Sequence, residues 1–168
     1  YKRQGMSFVD FAHLKERNIK NGILDYNRQK TGTPMRLEIL DTAELMRKEL
    51  MGDKRPASGY LFPFLSGTKT GYEAYLEYNA ALSRFNRNLK ALKKAAGIAS
   101  DVTSYTIRHS FAMALKEQNV PIEMISELLG HKSIKTTQIY LRSFSLEKMT
   151  EVNSTCFGCV YNYVSKVG

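Results

Sequence analysis

TSYTIRHSFAMALKEQNVPIEMISELLGHKSIKTTQIYLRSF, residues 103–144, divides into three helices by its own punctuation. Thr103 and Ser104 can cap a first helix, whose apolar positions Ile107, Phe111 and Leu115 recur every four residues and give it one buried face. Asn119-Val120-Pro121 ends it, because proline starts a helix well and cannot sit inside one. A second helix turns Ile122, Ile125, Leu128 and Leu129 inward and closes on Gly130, a residue suited to a left-handed C-cap. That leaves His131 just past a helix end, held by backbone geometry. Ser133 then caps a third helix, SIKTTQIYLRSF, with Tyr140 in its middle.

Upstream, Gly71 to Ala96 reads as one long helix. Tyr72, Tyr75, Leu82, Phe85, Leu89, Leu92 and Ala96 recur at three- and four-residue steps, with Arg84, Arg87, Lys90, Lys93 and Lys94 along the polar side. Gly97 fits its C-cap. Tyr60 to Leu65 reads as a short buried segment, and Asp41-Thr42-Ala43-Glu44 opens a helix with an acidic first turn. Asn21-Gly22 signals a tight hairpin. Ile23–Lys30 and Met35–Leu40 alternate on either side of the turn Thr31–Pro34, which predicts a small three-stranded antiparallel sheet. Ser7 to Leu14 reads as a short helix capped by Ser7. Past Tyr140, Leu141 to Met149 reads as further helix, and Thr155 to Val164 is short, apolar and rich in β-formers. The expected fold class is α+β, mainly helical, in a single domain.

At 168 residues the chain can bury one real core and is short for two. An apolar content of 43% is ordinary for a globular protein. No apolar run approaches the ~20 residues of a membrane helix, and no signal peptide is visible. The chain opens on Tyr1 without a methionine, which suggests that an N-terminal portion has been removed. Lys and Arg total 25 against 16 Asp and Glu, a formal charge of +9 that suits a polyanion partner through counterion release. Cys156 and Cys159 form a lone CxxC; zinc usually takes four ligands and no second pair exists, so they read as small apolar residues. There is no HExxH pattern and no carboxylate-rich cluster, so no metal ligand is assigned.

Arg108-His109-Ser110-Phe111-Ala112, then Leu128-Leu129-Gly130-His131, then Thr136-Thr137-Gln138-Ile139-Tyr140 resemble, in order, the boxes of the tyrosine recombinase (phage integrase) family. The nine-residue step from His131 to Tyr140 matches that family's spacing. Gly5-Met6-Ser7-Phe8-Val9-Asp10 resembles the branch carried by Bacteroidetes-type mobile elements. The resemblance implies the family's catalytic-domain fold over residues 1–168, with the N-terminal core-binding domain outside this chain and residues 150–168 as a tail that packs on a neighbouring protomer. It implies double-stranded DNA as partner, a homo-tetramer on DNA and a monomer in isolation, a cytoplasmic, nucleoid-associated location, and no metal, nucleotide or other cofactor.

The same resemblance distributes roles. Tyr140, one of ten tyrosines, is the expected nucleophile, forming a 3′-phosphotyrosyl link. Arg108 offers an always-charged fork suited to a phosphate, and His131 can bond a phosphate oxygen or help move the tyrosine proton. Lys30, on the hairpin, is the expected general acid. Two positions depart from the pattern. Ser7 stands where most members have an arginine, with Arg3 the expected substitute. Tyr105 stands where histidine is commonest; its phenol can donate a hydrogen bond but is a poor base near neutral pH. His109, about 100° around the helix from Arg108, is expected to pack inward. Lys132, Lys135 and Arg142 should lie near the cleaved strand. Two other readings share these residues: a type IB topoisomerase, and a non-catalytic DNA-binding protein derived from a recombinase.

Overall fold

The computed structural model describes residues 5–39 and 59–141. A short helix α1 (Phe8–Ala12) leads through a 3₁₀ turn at Glu16–Asn18 into three strands, β1 (Ile19–Lys20), β2 (Ile23–Asn27) and β3 (Pro34–Glu38). Among the described residues four helices follow: α2 (Gly71–Ala95), α3 (Ser104–Glu117), α4 (Ile122–Leu128) and α5 (Ile134–Tyr140). The fold is mainly helical with one small antiparallel sheet in the order β1-β2-β3, as its sequence predicts. The expected helix from Asp41 and the tail beyond Leu141 lie outside the described residues.

Asn21 and Gly22 take positive φ values of 51° and 74°, the geometry a two-residue hairpin needs. Across the β2–β3 register, Tyr26 faces Met35 and Leu24 faces Leu37. Period two therefore sends Leu24, Tyr26 and the next residue in step, Arg28, to one side. The strands are shorter than the alternation suggests: a six-residue turn, closed by Arg28 N donating to Thr33 O at 2.9 Å, takes in Lys30.

Phe8, Phe11, Phe62 and Phe64 interlock with Tyr78 and Phe85 of α2, the Phe8–Phe85 ring centroids 4.8 Å apart. A second cluster, Ala112, Ile125, Leu129 and Leu141, joins α3, α4 and the end of α5. The expected apolar stripe of α2 is buried only in part. Ala81 is covered and Tyr78, Leu82 and Phe85 pack on the core, whereas Tyr72, Tyr75 and Leu92 are exposed at 72%, 58% and 65%. The helix is 25 residues long, roughly 37 Å at 1.5 Å per residue, and outruns the small core that it crosses.

Gly5 and Gly130 hold the two clusters together. A Cβ on Gly5 would lie 2.8 Å from both Leu129 and Phe111, and one on Gly130 would lie 2.5 Å from Arg28 Cδ and 2.6 Å from Met35 Sδ. Backbone approaches this close leave no room for a side chain.

Candidate active site

Each site residue owes its place to a helix end or a strand end. Thr103 caps α3 through a reciprocal bond with Thr106, and five residues on, Arg108 points into the protein, 8% exposed. Helix α4 ends on Gly130 at φ +61°, with Gly130 N donating to Glu127 O and His131 N to Ser126 O. His131 leaves that cap in a fixed direction. Ser133 accepts from Lys135 N to start α5, which carries Thr137 and Tyr140 one turn apart on the inward face. Tyr140 is the last residue of this helix rather than its middle, because Leu141 departs from helical geometry at ψ 36°.

Arg108 donates through Nη1 to Gly5 O and through Nη2 to Leu129 O at 2.6 Å, and Nη2 also lies 3.4 Å from His131 Nε2. The other ring nitrogen, Nδ1, is 2.8 Å from Thr137 Oγ1. The Tyr140 ring stands edge-on among three others: His109 at 5.0 Å between centroids, Tyr105 at 5.8 Å and His131 at 5.9 Å. Its hydroxyl is buried and, among the described residues, accepts or donates no well-formed hydrogen bond. Tyr105, 62% exposed, stacks on His109 at 6.4 Å and forms the rim of this cage.

A second guanidinium enters from the sheet. Arg28 is 7% exposed; its Nε meets Asp10 Oδ2 at 3.2 Å, and its Nη1 donates to Leu129 O and Gly130 O at 2.9 Å each. Asp10 is also bound by Ser7 Oγ at 2.5 Å and by Gln29 N at 2.8 Å. The buried charged residues among those described are therefore two arginines and one aspartate.

Burial and surplus charge set the protonation states. Burial first, then the charges of Arg108 and Arg28, pushes His131 down to about 4, so its ring is neutral near pH 7. Burial, then Tyr105, raises the Tyr140 phenol to about 12, with Arg108 pulling the other way. Arg108 is itself lowered, by burial and then by Arg28, but a guanidinium stays charged. At neutral pH the Tyr140 phenol and the His131 imidazole are both uncharged, beside two guanidiniums.

Of the residues singled out in the sequence, Arg108, His131, Tyr140 and Tyr105 come together. Lys30 stands exposed on the β2–β3 turn and forms no hydrogen bond or ion pair among the described residues. Lys132 and Lys135 are exposed at the start of α5. Arg3 and Arg142 lie outside the described residues, and Ser7 is an ordinary N-cap of α1 that also holds Asp10. Sequence reading missed Arg28, Asp10 and Thr137; Arg28 follows directly on β2, in step with the inward Tyr26.

Residues 5–147 match the model of the phage integrase family. The chain belongs to the phage integrase family. Among curated tyrosine recombinases, it is 52% identical to XerD of Lacticaseibacillus casei over 54 residues, 32% of this chain and 18% of that protein. It is 41% identical to XerC of Rickettsia typhi over 75 residues, 45% of this chain and 24% of that protein. The chain thus spans only part of each relative. A crystal structure of XerA recombinase superposes with a TM-score of 0.66 at 23% identity, covering 90% of this chain and 53% of the other. XerH bound to palindromic difH substrate in a post-cleavage complex gives 0.62 at 20% identity, covering 90% and 42%. The Tn1549 transposon integrase in complex with a circular intermediate DNA gives 0.62 at 15%, covering 90% and 55%. The fold is that of the catalytic domain of these tyrosine recombinases.

Proposed function

We propose that this chain is the catalytic domain of a site-specific DNA recombinase that cuts and rejoins DNA through a covalent 3′-phosphotyrosine. The observation that carries the reading is the convergence of a tyrosine with a buried hydroxyl, a neutral histidine and two buried guanidiniums, against one buried carboxylate among the described residues. Buried surplus positive charge favours an anion, and a phosphodiester placed there would lie beside the Tyr140 phenol.

Tyr140 Oη gives its proton to His131 and attacks the phosphorus; the P–O5′ bond breaks, and the 5′-oxygen leaves with a proton from Lys30 Nζ, whose exposed position lets it reach DNA. Arg108 and Arg28 face the charge that develops on the non-bridging oxygens, where removing one such donor commonly costs ~10²-fold or more. Arg28 fills the part that Ser7 cannot, in place of Arg3. Tyr105, at the rim, donates a hydrogen bond to the same phosphate. Religation runs the steps backwards with a 5′-hydroxyl from the partner strand. Lys132, Lys135 and Arg142 contact the DNA backbone and position the strand.

The larger assignment rests on the family boxes and on the relatives. It comprises integration or excision of a mobile element of the Bacteroidetes-type branch, strand exchange in a homo-tetramer on DNA inside the bacterial cytoplasm, a core-binding domain N-terminal to this one, and residues 150–168 docking on a neighbour. Two assays test it. Exchange between two matched attachment sites supports recombination, supercoil relaxation without exchange indicates a type IB topoisomerase, and binding without any strand cleavage indicates a DNA-binding derivative.

A further inference from the structure

We infer that Thr137 is a positioning residue that fixes His131 as the Nδ1–H tautomer and thereby leaves Nε2 as the proton acceptor of the site. The inference rests on the proposed strand-cleavage reading for its consequence in catalysis, and on the geometry alone for the tautomer.

A guanidinium has donors and no acceptor. The 3.4 Å contact of Arg108 Nη2 with His131 Nε2 is therefore attractive only if Nε2 presents its lone pair. The single ring proton of a neutral imidazole then sits on Nδ1, where Thr137 Oγ1, 2.8 Å away, accepts it. Thr137 is fully buried, so its hydroxyl has no water to exchange with and the bond is not competed away. The groups that face the ring are Arg108 from α3, Arg28 from the β2–β3 turn and Tyr140 from α5. Both arginines oppose a charge on the imidazole, in keeping with a neutral ring.

The tautomer decides between two roles. An Nε2–H imidazole would donate to a phosphate oxygen. An Nε2 lone pair instead takes the Tyr140 proton as the Oη–P bond forms, giving an imidazolium whose Nδ1–H remains on Thr137. That transfer belongs to the DNA-bound arrangement, because no hydrogen bond joins the Tyr140 hydroxyl to His131 among the described residues.

The test compares the full chain with Thr137→Val, which keeps the branched shape and removes the hydroxyl, and Thr137→Ser, which restores it. Long-range ¹H–¹⁵N spectra near neutral pH report the His131 tautomer without any DNA. Expected are Nδ1–H in the wild type and the Ser variant, and a shift toward Nε2–H in the Val variant. Adduct formation on a nicked substrate should fall about tenfold or more in Thr137→Val and recover in Thr137→Ser. An Nε2–H or charged ring in the wild type overturns the inference, as does a Val variant that keeps the tautomer, or one that changes tautomer with no loss of rate. Should the Val variant not fold, an Nε2–H ring in the wild type or the Ser variant is still decisive. If the wild type forms no adduct, the cleavage reading fails while the spectra continue to judge Thr137.

Discussion

Arg28 and Arg108 donate to the same atom, the carbonyl oxygen of Leu129, at 2.9 and 2.6 Å. One residue comes from the β2–β3 turn and the other from α3, and the shared acceptor belongs to the end of α4. This oxygen ties three elements into one pocket and keeps two like charges side by side in the interior. The arrangement is tolerable because Asp10 answers Arg28 and because backbone carbonyls solvate both forks.

Removing Asp10's charge should therefore be severe. Asp10→Asn leaves Arg28 buried with no counter-ion, and breaking such a pair costs about 3–5 kcal/mol. Urea unfolding measures it; a loss of under about 1 kcal/mol, the scale of an exposed pair, would remove Asp10 from this account. Arg28→Lys keeps the charge and loses the fork, and should slow strand cleavage more than it lowers stability.

Gly130 and Gly97 offer a matched contrast. Both have positive φ, 61° and 66°. A Cβ on Gly97 meets nothing within 4 Å, whereas one on Gly130 collides with Arg28 and Met35. Gly97→Ala should cost about 1–2 kcal/mol, the backbone term alone. Gly130→Ala should cost more and also slow cleavage, since the turn it distorts aims His131. Equal losses in thermal unfolding would show that the Arg28 contact carries no weight.

The pH dependence of stability follows from His131. Its folded value of about 4 lies below the ordinary 6.5, so between these limits the unfolded chain binds the proton more readily. The contribution is fully present above pH 6.5 and is lost as the pH falls toward 4. Wild-type protein should lose melting temperature across that window faster than His131→Asn; parallel curves would contradict it.

Much of this was legible in the chain, because the boxes coincide with local signals. Gly130 after an apolar helix fixed the exit of His131, and Thr103 and Ser133 marked two helix starts correctly. Asn21-Gly22 gave the hairpin. What escaped was set by distance in sequence. The Arg28–Leu129 bond spans 101 residues and Arg108–Gly5 spans 103, and no local pattern announces such pairs. In the folded chain Arg28 falls in step with Leu24 and Tyr26 on the buried side, where an arginine demands a partner. In α2, periodicity overstated burial, since it reports which face is apolar and not how far the core beneath extends.

Lys132 and Lys135 are exposed beside the pocket. If both meet phosphates, each substitution by alanine should flatten the slope of log affinity against log salt by about 0.9. The loss should be similar for matched and unrelated DNA, because phosphate contacts carry no base information. A loss confined to the matched site would assign them to base readout.

The central claim is that Tyr140 is the nucleophile. A nicked duplex bearing the element's attachment site, incubated with the protein and resolved on a denaturing gel, tests it most directly. The account predicts a covalent protein–DNA band that forms with chelator present and is absent with Tyr140→Phe, while DNA binding by that variant is retained. A band of equal strength from Tyr140→Phe, or folded wild-type protein that binds the site and yields no adduct, would contradict it.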